Sequence, residues 1–384
     1  MFSFLRHEKA RAIFFQLLTV IGLVAFLWYI GINTLHNIEQ RGIQTGFEFL
    51  EGTAGFGITE SPIEFSESHT HARVFLVGLL NTFIVSFVGI LFATILGLII
   101  GVLRLSKNFL IKKLAAAYID IFRNIPLLLQ ILFWYNVVIQ SLPSPRQSVN
   151  FVDAIFINNR GLYIPLASWN STTYALLGGV LLSFVFIFFM AKWAKKRQEE
   201  TGQYFPTLIA SIGVFLVFTI VSFFIGGADF GFSYPELKGF NFRGGKVITP
   251  EFLALTFALV IYTATFIAEA VRSGIEAVKK GQKEAAASLG LSAYQSLKLV
   301  ILPQAIRVSI PPIINQYLNL IKNSSLATAV GYPELVTVFA GTSLNQVGQS
   351  IEIIAITMLV YLIISLVVSA ILNWFNSKIK IKER

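Results

Sequence analysis

An all-α, polytopic membrane protein with about eight transmembrane helices is the architecture to expect from this chain. Three features point there: 55% of its 384 residues are hydrophobic, only 13% are charged, and apolar runs long enough to cross a bilayer recur from end to end. Soluble globular chains carry roughly twice that fraction of charge. A hydrocarbon core about 30 Å thick needs roughly 20 apolar residues at helical rise. The runs are continuously apolar and lack the alternation of a lipid-facing barrel, so helices are the expected form. They fall near residues 13–33, 74–103, 115–141, 173–191, 206–225, 250–271, 308–330 and 351–374.

Charge placement orients these spans. With the N-terminus inside, the cytoplasmic pieces hold Arg6, Lys9 and Arg11, then Arg104, Lys107, Lys112 and Lys113, then Lys192, Lys195, Lys196 and Arg197. Six more basic residues lie between 272 and 307, and four at the C-terminal end. Far fewer fall outside. An even number of spans then puts both termini in the cytoplasm, N-in/C-in. This distribution accounts for the net charge of +10 without nucleic acid as a partner.

The first run follows a basic segment, but no small-residue cleavage site follows Trp28–Ile32, so it reads as a retained anchor. Residues 34–73 carry six glutamates and several glycines and are expected to be a solvated external loop; with the anchor they make up an N-terminal region, 1–72. His69 and His71 are expected to be incidental, and with no cysteine and no metal-ligand cluster no metal site is expected. Gly89, Ala93, Gly97 and Gly101 recur every four residues in the second span, which allows close approach of another helix, with a partner permease as one candidate. Thr249-Pro250-Glu251 opens the sixth span with a capping hydroxyl, a proline that needs no donor and an acid at the positive helix end.

Polar groups inside spans are costly, so Asp120, Arg123, Asn124, Glu269, Lys322, Asn323 and Ser324 should face the bundle interior or its ends. Asp120 with Arg123, and Glu269 with Arg272, are three residues apart and can meet on one helix face. Pairs that hold helices together are the plainer reading, and a translocation path is the functional one. Lys322 has no acid close in sequence. A break in the helix containing Pro311-Pro312 would let it point at an anionic carboxylate; equally, it could pair with an acid on another helix.

Between the sixth and seventh spans, about 275–305, the sequence turns polar and helical. Gly290 stands where a helix can stop through a left-handed residue. Ser292-Ala293-Tyr294-Gln295 fits a capping box, and Pro303 is expected to end the second helix. The alanines leave little bulk, which suits insertion into a groove of another protein. A plain connector is the alternative, and the spacing from Glu284 through Gly290 to Leu302-Pro303 speaks against it. The nearest approach to a phosphate-binding Gly-x-x-x-x-Gly-Lys-Ser/Thr loop, Gly239 to Lys246, fails in spacing and in the residue after the lysine. No nucleophile–base constellation or paired carboxylates occur in a plausible soluble site, so the chain is not expected to be an enzyme. Transport is the class that remains.

At this hairpin the chain resembles the permease subunits of bacterial ABC importers, whose signature is Glu-Ala-Ala, three residues, Gly, nine residues, Ile-x-Leu-Pro. Glu284, Ala285, Ala286, Gly290, Leu302 and Pro303 match, and Val300 stands where isoleucine is usual. Gly78–Thr82, Phe122–Gln130, Ala264–Glu269 with Val271–Ile275, and Lys322–Ala327 look like the polar-amino-acid branch, with Ile125 and Ser324 replacing threonines. The resemblance covers roughly 73–373. It implies a type I permease core made of the second, third, sixth, seventh and eighth spans, a two-helix insertion at about 142–249, and a basic tail, 374–384. The extra span, insertion and length resemble the long permease of general L-amino-acid importers.

The resemblance further implies a multi-pass protein of the bacterial inner membrane. Its hairpin would dock on a dimer of ATP-binding subunits, which bind ATP and Mg, so that no cofactor belongs to this chain. A second permease, with a heterodimer expected, an extracytoplasmic binding protein and an amino acid substrate complete the set. The rival from another class is a carrier driven by an ion gradient, with a channel-like pore behind it.

Overall fold

The computed structural model describes residues 8–42, 45–167, 169–228 and 231–379. Among these, seven helices are long and apolar enough to cross a membrane, or eight when one sharply bent pair is taken as a single span. The contacts group the chain into two units, residues 1–120 with 263–384, and residues 121–262.

In the first unit, α1 (Glu8–Arg41) exposes its apolar side chains along its length, as a helix surrounded by lipid would. Helix α2 (His71–Arg104) starts at Thr70, whose side chain accepts from the Arg73 amide. Its small-residue stripe packs within the chain. A Cβ at Gly97 would stand 2.6 Å from Ile267, one at Gly101 2.9 Å from the Ala268 carbonyl, and one at Gly89 3.2 Å from Leu320. Removing side-chain bulk here lets backbones approach where dispersion contacts, with no hydrophobic drive between helices in lipid, hold the bundle.

Residues 45–70 depart from the solvated loop expected of them. Phe49 is buried with Leu335, Phe339 and Ile353, and Ala54 is buried with Val74 and Val338. Asn81 donates from Nδ2 to the carbonyls of Glu60 and Pro333, both at 2.8 Å, and the amide of Gly46 donates to Glu352 at 2.7 Å. The glutamates Glu48, Glu51, Glu64 and Glu67 face outward while Phe49, Phe56, Ile58 and Phe65 face in. Acid count masked an apolar set that supplies the drive to fold back.

Helix α7 (Pro250–Glu276) leads to α8 (Lys280–Ser288) and α9 (Ala293–Ser296), after which a wide turn, Leu297–Ile301, runs into α10 (Leu302–Asn323). Pro303 therefore does not end a helix. It stands in the first turn of α10, where a missing amide donor costs nothing. Nor does Pro311-Pro312 break α10, which continues to Asn323 before tightening at Ser324–Ala329. A wide helical turn, Val336–Ser343, and α11 (Leu344–Val347) precede α12 (Ser350–Ile379).

The third run, expected as one span, is α3 (Phe109–Asn124) and α4 (Leu127–Leu132, extended by a wide turn to Ile139), bent by 101°. Pro126 lacks an amide donor and disfavours helical geometry at Ile125. Gln130 repairs the break: its Nε2 donates to the carbonyls of Phe122 at 2.8 Å and Ile125 at 3.0 Å.

The second unit also holds the insertion. Helices α5 (Ser171–Thr201) and α6 (Thr207–Ile225) form a hairpin, with the Thr172 hydroxyl donating to the Gly226 carbonyl at 2.8 Å. Short strands join the otherwise helical architecture here. Among the described residues eight short strands occur: β1 (Val149–Phe151), β2 (Ile155–Asn158), β3 (Gly161–Ile164), β4 (Leu166–Ala167), β5 (Phe232–Ser233), β6 (Glu236–Lys238), β7 (Asn241–Arg243) and β8 (Lys246–Ile248). The antiparallel order β1-β2-β3-β8, with Tyr163 opposite Val247, ties the segment before α5 to the segment after α6. Tyr163 is buried, lies tilted against Phe242 with ring centroids 4.9 Å apart and donates to Asn241 at 2.8 Å; burial pushes its phenol above the usual range.

Candidate coupling hairpin and membrane path

The hairpin splits the signature residues into two roles. Ala286 is buried, with Val278, Ala305 and Ser309 also buried nearby in sequence on the arms. Glu284, Ala285, Gly290, Leu302 and Pro303 are exposed. Glu284 pairs with Lys280 one turn earlier at 3.5 Å. Gly290 has φ +72°, the Leu291 amide donates to the Ala286 carbonyl at 3.2 Å, and the Gly290 amide donates to that of Ala287 at 2.9 Å. That is the Schellman arrangement, which needs a left-handed residue and closes α8 abruptly.

The next helix starts at once through the expected capping box: Ser292 Oγ accepts from the Gln295 amide at 3.3 Å, and Gln295 Oε1 accepts from the Ser292 amide at 2.9 Å. Leu289 is 80% exposed and Tyr294 69% exposed, both at this turn and on polar helices.

Of the polar residues in the spans, Glu269 and Arg272 pair as expected: Arg272 Nε donates to both carboxylate oxygens at 3.1 Å, and Arg272 also pairs with Glu276. The three form a ladder along α7. Asp120, Arg123 and Asn124 lie together on the last turns of α3, all exposed on the chain's surface. Lys322 and Asn323 end α10. Lys322 is exposed, Asn323 half-buried, and Ser324 wholly buried with its hydroxyl on the Ile321 carbonyl at 2.7 Å. The structure thus brings Lys322, Asn323 and Ser324 to one helix end and Asp120, Arg123 and Asn124 to another.

Glu334 is a residue that sequence reasoning passed over. Its side chain is fully buried and accepts four hydrogen bonds: from the amides of Val336 at 3.0 Å and Thr337 at 2.8 Å, from the Thr337 hydroxyl at 3.0 Å, and from Tyr361 of α12 at 2.9 Å. The carboxylate caps the helical turn after it and ties that turn to α12. Its signal was present: a single carboxylate after a proline, inside the otherwise uncharged stretch 323–351.

Comparisons with known proteins agree with this anatomy. The profile of the family of binding-protein-dependent transport system inner membrane components matches residues 200–381. YhdX of Escherichia coli K12, named as an amino-acid ABC transporter permease protein, is 49% identical over 378 residues, covering 98% of this chain and 96% of its own. The general L-amino acid transport system permease protein AapQ of Rhizobium johnstonii is 47% identical over 100% of this chain and 95% of its own. BztB of Rhodobacter capsulatus, a glutamate/glutamine/aspartate/asparagine transport system permease protein, is 39% identical over 98% of this chain and 95% of its own.

The chain belongs to this family of inner-membrane transport components. It is a multi-pass permease subunit of an amino-acid ABC transporter.

Proposed function

We propose that this subunit forms, with a second and different permease chain, the path through which polar L-amino acids are imported, and that ATP bound with Mg by a dimer of partner subunits drives it through the hairpin. The observation that carries this reading is the hairpin's exposed pair, Leu289 and Tyr294, at the junction of two polar helices. Large apolar side chains held out by a rigid Schellman turn, outside any lipid-facing apolar run, suit a groove on another protein. Lys279, Lys280, Lys283 and Glu284 provide a charged rim.

An extracytoplasmic binding protein delivers substrate in this reading, and both termini lie in the cytoplasm. Lys322 and Asn323 at the end of α10 are candidates to meet substrate in this reading, as separately are Asp120, Arg123 and Asn124 at the end of α3; Ser324 supports the α10 end from within, and Glu269 belongs to the ion-pair ladder of α7. The relatives named for general and for acidic or amide amino acids support the substrate class. Purification of the tagged chain in mild detergent tests the assembly: an ATPase and a second permease should accompany it, and Gly290→Val should lose the ATPase. A chain that purifies alone and moves amino acids under an ion gradient overturns the reading.

A further inference from the structure

We infer that Lys322 is the residue that receives the α-carboxylate of the transported amino acid, so that the membrane path reads the group all its substrates share and leaves their side chains unread. This rests on the permease reading above. Lys322 lies at the C-terminal end of α10, on the wall of a cavity of about 370 Å³ that it shares with Ser325, Val336, Thr357, Met358 and Tyr361. That volume is within the range of roughly 300–1,000 Å³ typical of small-molecule sites.

An ammonium in a membrane-spanning segment needs a compensating anion or water. Among the described residues, no carboxylate lies within ion-pair distance of Lys322. Glu334, which receives the hydroxyl of the cavity-lining Tyr361, is occupied. It already accepts four hydrogen bonds, and its side chain has no exposed surface. The other hydroxyls are also committed to backbone: Ser325 donates to the Lys322 carbonyl at 2.7 Å and Thr357 to that of Ile353 at 2.8 Å. They remain able to accept, which suits the α-ammonium group of a substrate.

The cavity therefore presents one fixed positive charge, hydroxyl oxygens, and an apolar wall of Val336 and Met358. No second charge is present among its lining residues to select a side chain. Met358 is flexible and tolerates side chains of different shape. Discrimination between amino acids would then belong to the delivering binding protein, and the path would reject molecules lacking a carboxylate.

The test uses the complete importer in proteoliposomes with its binding protein, comparing Lys322→Met and Lys322→Arg with the unaltered complex. ATP-dependent uptake of labelled L-glutamate, L-glutamine and L-alanine is measured, alongside the subunit composition of each purified complex. Lys322→Met should lower uptake of every accepted amino acid by about tenfold or more, as expected for a lost charge-assisted bond, with all subunits still present and with Lys322→Arg recovering much of the rate. Unchanged uptake overturns the inference. So does loss confined to L-glutamate, which would make Lys322 a reader of side-chain charge. Loss of the second permease from the Lys322→Met complex would also overturn it, by assigning the lysine to an interface. Failure of the parent reading looks different: uptake by the unaltered complex would then not depend on ATP.

Discussion

At Gly290 the backbone is held at φ +72°, a region that costs a β-branched residue of order 1–3 kcal/mol. Nothing lies within 4 Å of a Cβ placed there, so the objection to a side chain is conformational and not steric. Gly290→Asn, which tolerates the left-handed region, should keep most ATP-coupled uptake, while Gly290→Val should lose it although the chain still inserts. Comparing transport per inserted chain for the two variants checks this. Glu334 makes the opposite kind of demand. Glu334→Ala removes the acceptor of the Val336 and Thr337 amides, both half-buried, and each buried group left unsatisfied costs about 1–3 kcal/mol. Glu334→Gln keeps one acceptor oxygen and should fall between. The thermal midpoint of the detergent-purified complex should therefore drop in the order unaltered, Gln, Ala.

Among the elements, the bent pair α3 and α4 shows what hydrophobic pattern can and cannot reveal. Residues 115–141 are apolar enough to span, and Pro126 was visible, but the 101° bend depends on Gln130 covering the carbonyls of Phe122 and Ile125. Periodicity has no access to a tertiary repair of that kind. Gln130→Leu should lower the thermal midpoint by an amount matching about 1–3 kcal/mol, with helical content by circular dichroism nearly unchanged. The hairpin was legible to the residue because its information is local: Gly290 and the Ser292–Gln295 box close and open helices within one turn of themselves. Pro303 misled because a proline in a first helical turn and one after a helix look alike until the widened turn at Leu297–Ile301 is seen. Likewise the stripe of Gly89, Gly97 and Gly101 announced a close helix without saying whose. Gly97→Leu, driven into Ile267, should overpack and destabilise by about 1–3 kcal/mol or more, read as reduced yield of folded protein.

For the whole molecule, the number of crossings governs everything assigned to a side of the membrane. Seven long apolar helices and one bent pair give eight spans only if α3 and α4 together cross once and the α5–α6 hairpin crosses and returns. The basic ends agree, since Lys192, Lys195, Lys196 and Arg197 close α5 at the turn to α6, but they would agree equally with a hairpin lying in the interface. The chain contains no cysteine, so single cysteines report position without background. Ser66, in the folded-back segment 45–70, and Val152, which is 92% exposed at the β1–β2 turn, should both react with a membrane-impermeant maleimide on intact spheroplasts. Glu199, at the far end of α5, and Lys280, on α8, should react only after permeabilisation. If Glu199 reacts from outside while Val152 does, the insertion does not cross, and the five-span core would stand alone between external elements. If Lys280 reacts from outside, the hairpin is on the wrong face for any cytoplasmic ATPase and the coupling assignment goes with it. The expected pattern places the folded-back segment and the insertion's strands on one face and the docking turn on the other, which is the separation an importer needs between where substrate arrives and where ATP acts.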